Sequence, residues 1–211
     1  MRTIDIHTHL LNPGVRFQRI YDRLAIRFFA ERLGVSPADL LRNPYETFIR
    51  AMTTAVRGSR HVEKICLFPV DSRLDEQGRE TDRDGTVCSC TEDVLAVFKN
   101  YPEEVVPFLS VNPRRQNALD LLDEYIEAGC KGAKLLQNYW GLNLNDPKFL
   151  PYFEKLRDRS IPLVIHIGSE YSIDSFAPCE RVDMLRAPLE AGVTVIAAHM
   201  GLGRFHHKPF V

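Results

Sequence analysis

With 211 residues, 45% of them hydrophobic, the chain is long enough to bury a sizeable core in one large domain or two small ones. Twenty-seven Lys and Arg against 28 Asp and Glu leave a formal net charge of −1, which excludes an overall basic field drawn to nucleic acid and an acidic tail. No apolar run approaches membrane-spanning length, and no positive region followed by an apolar stretch opens the chain, so neither a membrane span nor a signal peptide is expected.

Strand-like and helix-like segments alternate along the chain. Residues 3–9 read as a first strand. A long crossover over 10–61 follows, read as a helical insertion. Phe17, Ile20, Leu24 and Phe28 mark one helix in it, Ser36-Pro37-Ala38-Asp39 the capped start of a second, and Phe48, Ile49, Met52 and Val56 a third. Residues 63–70 read as the second strand. The polar, charged segment 71–91, with two glycines, reads as a surface loop or lid over strand ends. The third strand is expected at 105–111. Leu119, Leu122 and Ile126 then share a helical face that Gly129 stops.

A fourth strand is expected at 132–136. Phe149, Phe153 and Leu156 repeat the helical spacing, with Asp146 as N-cap and Pro147 at the first helical position. Residues 162–167 and 193–199 complete the set. Between them Val182, Leu185 and Leu189 have helical spacing that Pro188 interrupts. Each strand is short and rich in Val, Ile, Leu or Phe, which suits parallel strands covered on both faces. The alternation predicts a parallel α/β sheet with right-handed crossovers. No internal repeat or linker divides residues 1–211, so a single domain is expected.

The chemistry concentrates in histidines at strand ends. His7 and His9 are two residues apart at the end of the first strand, and side chains on a strand alternate faces with period two. Two imidazoles can therefore point the same way and form half of a metal site. His166 falls near the end of the fifth strand and His199 at the end of the sixth. One ionisable ring after an apolar run reads as a satisfied core residue. Four on the face where parallel strand ends converge point to a shared metal site.

These residues carry a resemblance. The opening IDIHTHL, then GCKGAKL, IPLVIHIG and VIAAHMG, in that order and across nearly the whole chain, resemble the metal-dependent amidohydrolase superfamily. The likeness is to its amidohydrolase 2 branch, which groups small hydrolases with non-oxidative decarboxylases. The resemblance implies a distorted (β/α)8 TIM-like barrel. It implies that His7, His9 and His166 bind one divalent metal, zinc being the usual ion. It implies that His199 stands beside the metal-bound water or the substrate as a proton-transfer or polarising group. The implied reaction is hydrolysis of a small amide, ester or lactone. Decarboxylation of a small unsaturated or aromatic carboxylate is an alternative on the same site.

The sequence departs from the family pattern in one respect. About six barrel strands are legible rather than eight, and the aspartate that the family carries at the end of its eighth strand has no counterpart. The expectation is a C-terminally incomplete barrel, with a partner chain covering the gap as the alternative. A third reading follows: an inactive barrel that binds metal or a partner chain without turnover. A metal-dependent nuclease barrel also begins with His-x-His, but Gly132-Ala133-Lys134-Leu135 lacks the glutamate expected in its fourth strand.

The remaining candidates have simpler readings. Lys134, at or near the end of the fourth strand, reads as substrate-facing or structural, because this branch uses one metal. Asp5 is expected on the face opposite the histidine pair, in a supporting role. Trp140, Tyr139 and Tyr171 could line a pocket or pack. Arg114 or Arg115 could grip a substrate carboxylate, though loop arginines are usually solvated. Cys88-Ser89-Cys90 has no second Cys or His pair at zinc spacing. Five cysteines, an odd number, point to free thiols in a reducing, cytoplasmic compartment. Lys131, His61, His206 and His207 read as surface residues. The expected partner is a small-molecule substrate, without nucleic acid or membrane, and a homo-oligomer is left open.

Overall fold

The computed structural model describes residues 3–16, 20–81, 89–169 and 174–201. Phe17, Cys88, Tyr171, His206 and His207 lie outside the described residues, as do the side chains of Ile20 and Leu24.

All six expected strands form, each shorter than its apolar run. They are β1 (Ile4–His9), β2 (Lys64–Phe68), β3 (Val105–Leu109), β4 (Gly132–Leu135), β5 (Leu163–Ile165) and β6 (Val195–Ala197). Every pairing is parallel and strand order follows chain order. The helices are α1 (Ile20–Leu33), α2 (Pro37–Arg42), α3 (Pro44–Gly58), α4 (Thr91–Asn100), α5 (Ala118–Glu127), α6 (Gln137–Trp140), α7 (Leu150–Asp158) and α8 (Arg186–Glu190). The chain divides into two compact units. One holds residues 1–69 and 84–107, the other 70–83 and 108–211. The first three residues of β3 pair with β2 in unit 1, and the last two pair with β4 in unit 2.

In unit 1 the core gathers Leu10, Ile65, Leu67 and Val105 from the strand region with Ile49, Met52 and Val56 of α3 and Val94 and Val97 of α4. The stripe read from α3 is thus its buried face. Ser36 caps α2 as expected, its Oγ accepting the Asp39 N–H at 3.1 Å. In α1 the expected stripe is corrected. Ile26 and Ala30 pack on Leu40, whereas Phe28 is 54% exposed and lies under the Arg32 guanidinium. Sequence reading placed no helix between the 71–91 loop and β3. Yet α4 forms there, because Asp93 accepts the Cys90 N–H at 3.2 Å and Val94 and Val97 supply a buried face.

In unit 2 the strands β4 and β5 are buried along their whole length. Gly132 is required by packing: a Cβ there would lie 2.2 Å from the Phe108 ring on the neighbouring strand. Asp146 accepts the Lys148 N–H and opens a 3-10 turn, Pro147–Phe149, that runs into α7. Phe149, Phe153 and Leu156 are all buried there, as their spacing predicts. Two faces are corrected. In α5 the buried residues are Ala118, Leu122 and Tyr125, with Leu119 turned outward. Before β6, Met184 and Pro188 are buried while Val182 and Leu189 are exposed, because the segment splits into the 3-10 turn Val182–Leu185 and the short α8 around Pro188. The last run is corrected too: β6 ends at Ala197, and His199 sits in a 3-10 turn, Ala198–Gly201.

Candidate active site

In unit 1 the pair His7 and His9 closes β1. Their ring centroids are 5.2 Å apart and tilted by 59°, and the Phe68 ring lies 5.1 Å from His7 and 5.6 Å from His9. Both histidines are half-buried. Contrary to the expectation from sequence, strict alternation by itself would put Asp5 on the same face as the pair. The register instead shifts between Asp5 and Thr8: Asp5 aligns with Ile65 and Thr8 with Leu67, whereas His9 aligns with Phe68. This bulge carries Asp5 to the face opposite His9, and the Asp5 carboxylate closes it by accepting the His7 N–H at 3.0 Å. Asp5 therefore supports the strand that holds the pair.

In unit 2 His166 directly follows β5 and is buried, 2% exposed. Its Nε2 lies 3.1 Å from the Gly168 carbonyl oxygen. A carbonyl only accepts, so Nε2 carries a proton in this contact. The His199 ring centroid is 4.7 Å from that of His166. His199 is exposed and holds φ at 59°, a left-handed backbone that a residue with a Cβ adopts at a cost. Lys134 is fully buried and aligns with Val164, two residues before His166. By alternation, Lys134 and His166 belong to one face of this ladder.

Polar residues after β2, β3 and β4 form a network that sequence reading saw only in part. Arg115 donates from Nε and Nη2 to the Asp71 carboxylate at 2.7 and 2.6 Å, and from Nη2 to Glu80 at 2.8 Å. The hydrogen bonds to Asp71 lead in raising its pKa still further. Arg115 is thus neither solvated nor a free grip for a substrate. Arg114 reaches the Gly141 carbonyl at 3.4 Å. Trp140 packs, 1% exposed, and donates its indole N–H to the Asp71 carbonyl at 2.8 Å. Tyr139 lies under the Arg73 guanidinium, 4.5 Å from ring centre to Cζ. Gln137 and Asn138, both fully buried, were missed. Their signal is positional: they lie just past the end of a buried strand, as His166 does. His61 and Lys131 are exposed, as expected.

The described thiols, all with raised pKa, are poor nucleophiles. Burial pushes Cys66 up to about 11 and Cys130 up to about 12. Cys66, Cys90, Cys130 and Cys179 are all free.

The donor set suits a divalent ion. Two imidazoles on one tetrahedral ion, with zinc–nitrogen bonds of about 2.0–2.1 Å, put their ring centres about 5 Å apart. The His7–His9 pair, 5.2 Å between ring centroids, meets that spacing. Among the described residues no group of three or more His, Cys, Asp or Glu is placed to hold a metal. No helix among them is long and apolar enough to cross a membrane.

A family model described as Amidohydrolase matches residues 4–208. Among solved structures, the chain is similar to an uncharacterized TIM-barrel protein from Bordetella bronchiseptica, at a TM-score of 0.60 and 21% identity over 95% of this chain and 68% of that one. It is similar to a putative 2-pyrone-4,6-dicarboxylic acid hydrolase from Pseudomonas putida, at 0.53 and 15% over 98% and 62%. It is also similar to a 2,6-dihydroxybenzoate decarboxylase from Rhizobium, at 0.54 and 14% over 94% and 66%. The chain thus spans 62–68% of the length of these relatives. No curated protein sequence matches it. The likenesses show the fold: an α/β chain of the TIM-barrel type, here with six parallel strands.

Proposed function

The chain belongs to the amidohydrolase family, amidohydrolase 2 branch, and from that premise we propose that it is a metal-dependent hydrolase acting on a small amide, ester or lactone. The observation that carries this reading is the His7–His9 pair, two rings 5.2 Å apart at the end of β1 in a chain of this family. His7, His9 and His166 hold one divalent ion, zinc by ligand chemistry. Such an ion supplies a water of lowered pKa and polarises a substrate carbonyl.

The protein's own groups do the rest. The His166 Nε2–H is committed to the Gly168 carbonyl, which holds the ring orientation and makes Nδ1 the ring nitrogen that would ligate. His199, exposed and beside His166, takes a proton from the attacking water and returns it to the leaving group. Its strained backbone is the kind that persists where geometry serves chemistry.

Decarboxylation is the second reading. The Rhizobium relative, named as a 2,6-dihydroxybenzoate decarboxylase, has the same fold, and His199 could equally protonate a ring or vinyl carbon before carbon dioxide leaves. The test is to load the purified chain with zinc or manganese and offer lactones, amides, esters and hydroxybenzoates in parallel. Metal-dependent hydrolysis of one of the first three supports the proposal. Carbon dioxide release alone moves the chain to the second reading. No turnover on a metal-loaded chain favours a barrel that binds without catalysis.

A further inference from the structure

We propose that Gln137 is a positioning residue for His166. The inference rests on the reading that His166 ligates the ion. Gln137 opens the four-residue α6, one residue after β4, and is fully buried. Its Nε2 donates to the His166 carbonyl at 2.5 Å and to the Cys179 carbonyl at 2.8 Å. Both amide hydrogens are thereby used. The opposite orientation would press Oε1 against two carbonyl oxygens, so the orientation is set by its partners.

These bonds close a small frame around His166. The His166 N–H donates to the Leu135 carbonyl at 3.3 Å, the ring Nε2–H to Gly168, and the Gly168 N–H to the Glu180 carbonyl at 2.9 Å. The end of β4, the end of β5 and the 3-10 turn Ala177–Glu180 are tied together at this one residue. An apolar side chain could fill the space of Gln137, but it would leave two buried carbonyls without these donors. Gln137 Oε1 has no hydrogen-bond partner among the described residues. The position tolerates that buried oxygen and retains the two donated bonds, which marks the amide as serving the backbone of His166 rather than filling the core. A ligand ring held by such partners binds metal more tightly, because less of its freedom is lost on binding.

The test compares zinc affinity, by chelator competition, and the visible spectrum of the cobalt-loaded chain across four proteins: wild type, Gln137→Met, His166→Ala and Tyr152→Phe. Tyr152 donates to the Val111 carbonyl in the same unit and is buried, so its loss controls for general destabilisation. Gln137→Met is expected to weaken zinc binding by about 10–100-fold and to alter the cobalt spectrum, with Tyr152→Phe within about twofold of wild type. Wild-type affinity in Gln137→Met beside a loss in His166→Ala overturns the inference alone. Wild-type affinity in both overturns the metal reading, and this inference with it. Should Gln137→Met fail to fold, solvent exchange of the Gln137 side-chain amide in the wild type decides: zinc is expected to slow it at least about tenfold, and no change overturns the inference.

Discussion

The Asp71 carboxylate accepts four hydrogen bonds, two from the Arg115 guanidinium at 2.7 and 2.6 Å and one each from the Ser72 and Asn112 backbone N–H groups at 2.7 Å. The pair sits mostly out of water, with 21% of the Arg115 side chain and 10% of the Asp71 side chain exposed. Removing one partner of such a pair strands the other charge. Asp71→Asn is expected to cost about 3 kcal/mol of unfolding free energy. Urea denaturation measures it. In a double-mutant cycle with Arg115→Gln the double variant should lose clearly less than the sum of the two single losses, because both substitutions break one interaction. Full additivity would show that the contact contributes little.

Gly132 and Phe108 set a steric test. A methyl group at residue 132 meets three atoms of the Phe108 ring at 2.2–2.8 Å, and Phe108 is itself 5% exposed. Gly132→Ala is expected to destabilise by about 1–3 kcal/mol. Gly132→Ala with Phe108→Leu should recover part of that loss in the same assay. A second substitution that only adds further damage would mean that the ring can already move aside.

Much of the architecture was legible because each strand is a short apolar run and parallel strands covered on both faces keep such runs unbroken. The histidine at position 166 was legible for the same reason: a polar ring after Leu163-Val164-Ile165 stands out. Helix faces were less legible. Phe28 and Leu119 fit a helical stripe by spacing, yet both are exposed, because packing selected Ile26 and Ala30 in one helix and Ala118, Leu122 and Tyr125 in the other. The opening of α4 was hidden by a cysteine at the N-cap, where Ser, Thr, Asp or Asn is usual. Gln137 escaped notice because its role depends on the carbonyls of residues 29 and 42 positions away, which no local pattern reveals. The bulge that sets Asp5 apart from His9 is likewise a property of the β1–β2 register.

Cys66 gives a pH dependence with a defined sign. Burial, with the Asp5 carboxylate adding to it, raises its thiol from 9.0 to about 11. The native chain therefore holds that proton more tightly than the unfolded chain does between pH 9 and about 11. Its contribution to stability is fully present below pH 9 and is lost as pH rises through that window. Wild type is expected to lose about 2 kcal/mol more than Cys66→Ala across it, read as the difference between denaturation midpoints at pH 8.5 and 11. Parallel curves for the two proteins would place the Cys66 thiol in a wetter setting.

His199 separates stability from function at a single residue. With φ at 59°, a side chain bearing a Cβ is strained there and glycine is not. His199→Gly should therefore be more stable than His199→Ala by about 1 kcal/mol, the reverse of the usual order in regular structure. If His199 moves a proton rather than holding the ion, both variants keep most of the wild-type zinc content. Both then lose turnover by about 10²–10⁴-fold in a form of the protein that is active. His7→Ala and His166→Ala should instead lose most of their zinc, measured as metal per chain after dialysis. A His199 variant that loses zinc as fully as these two would make residue 199 a ligand, and the proton would then have to travel by another group.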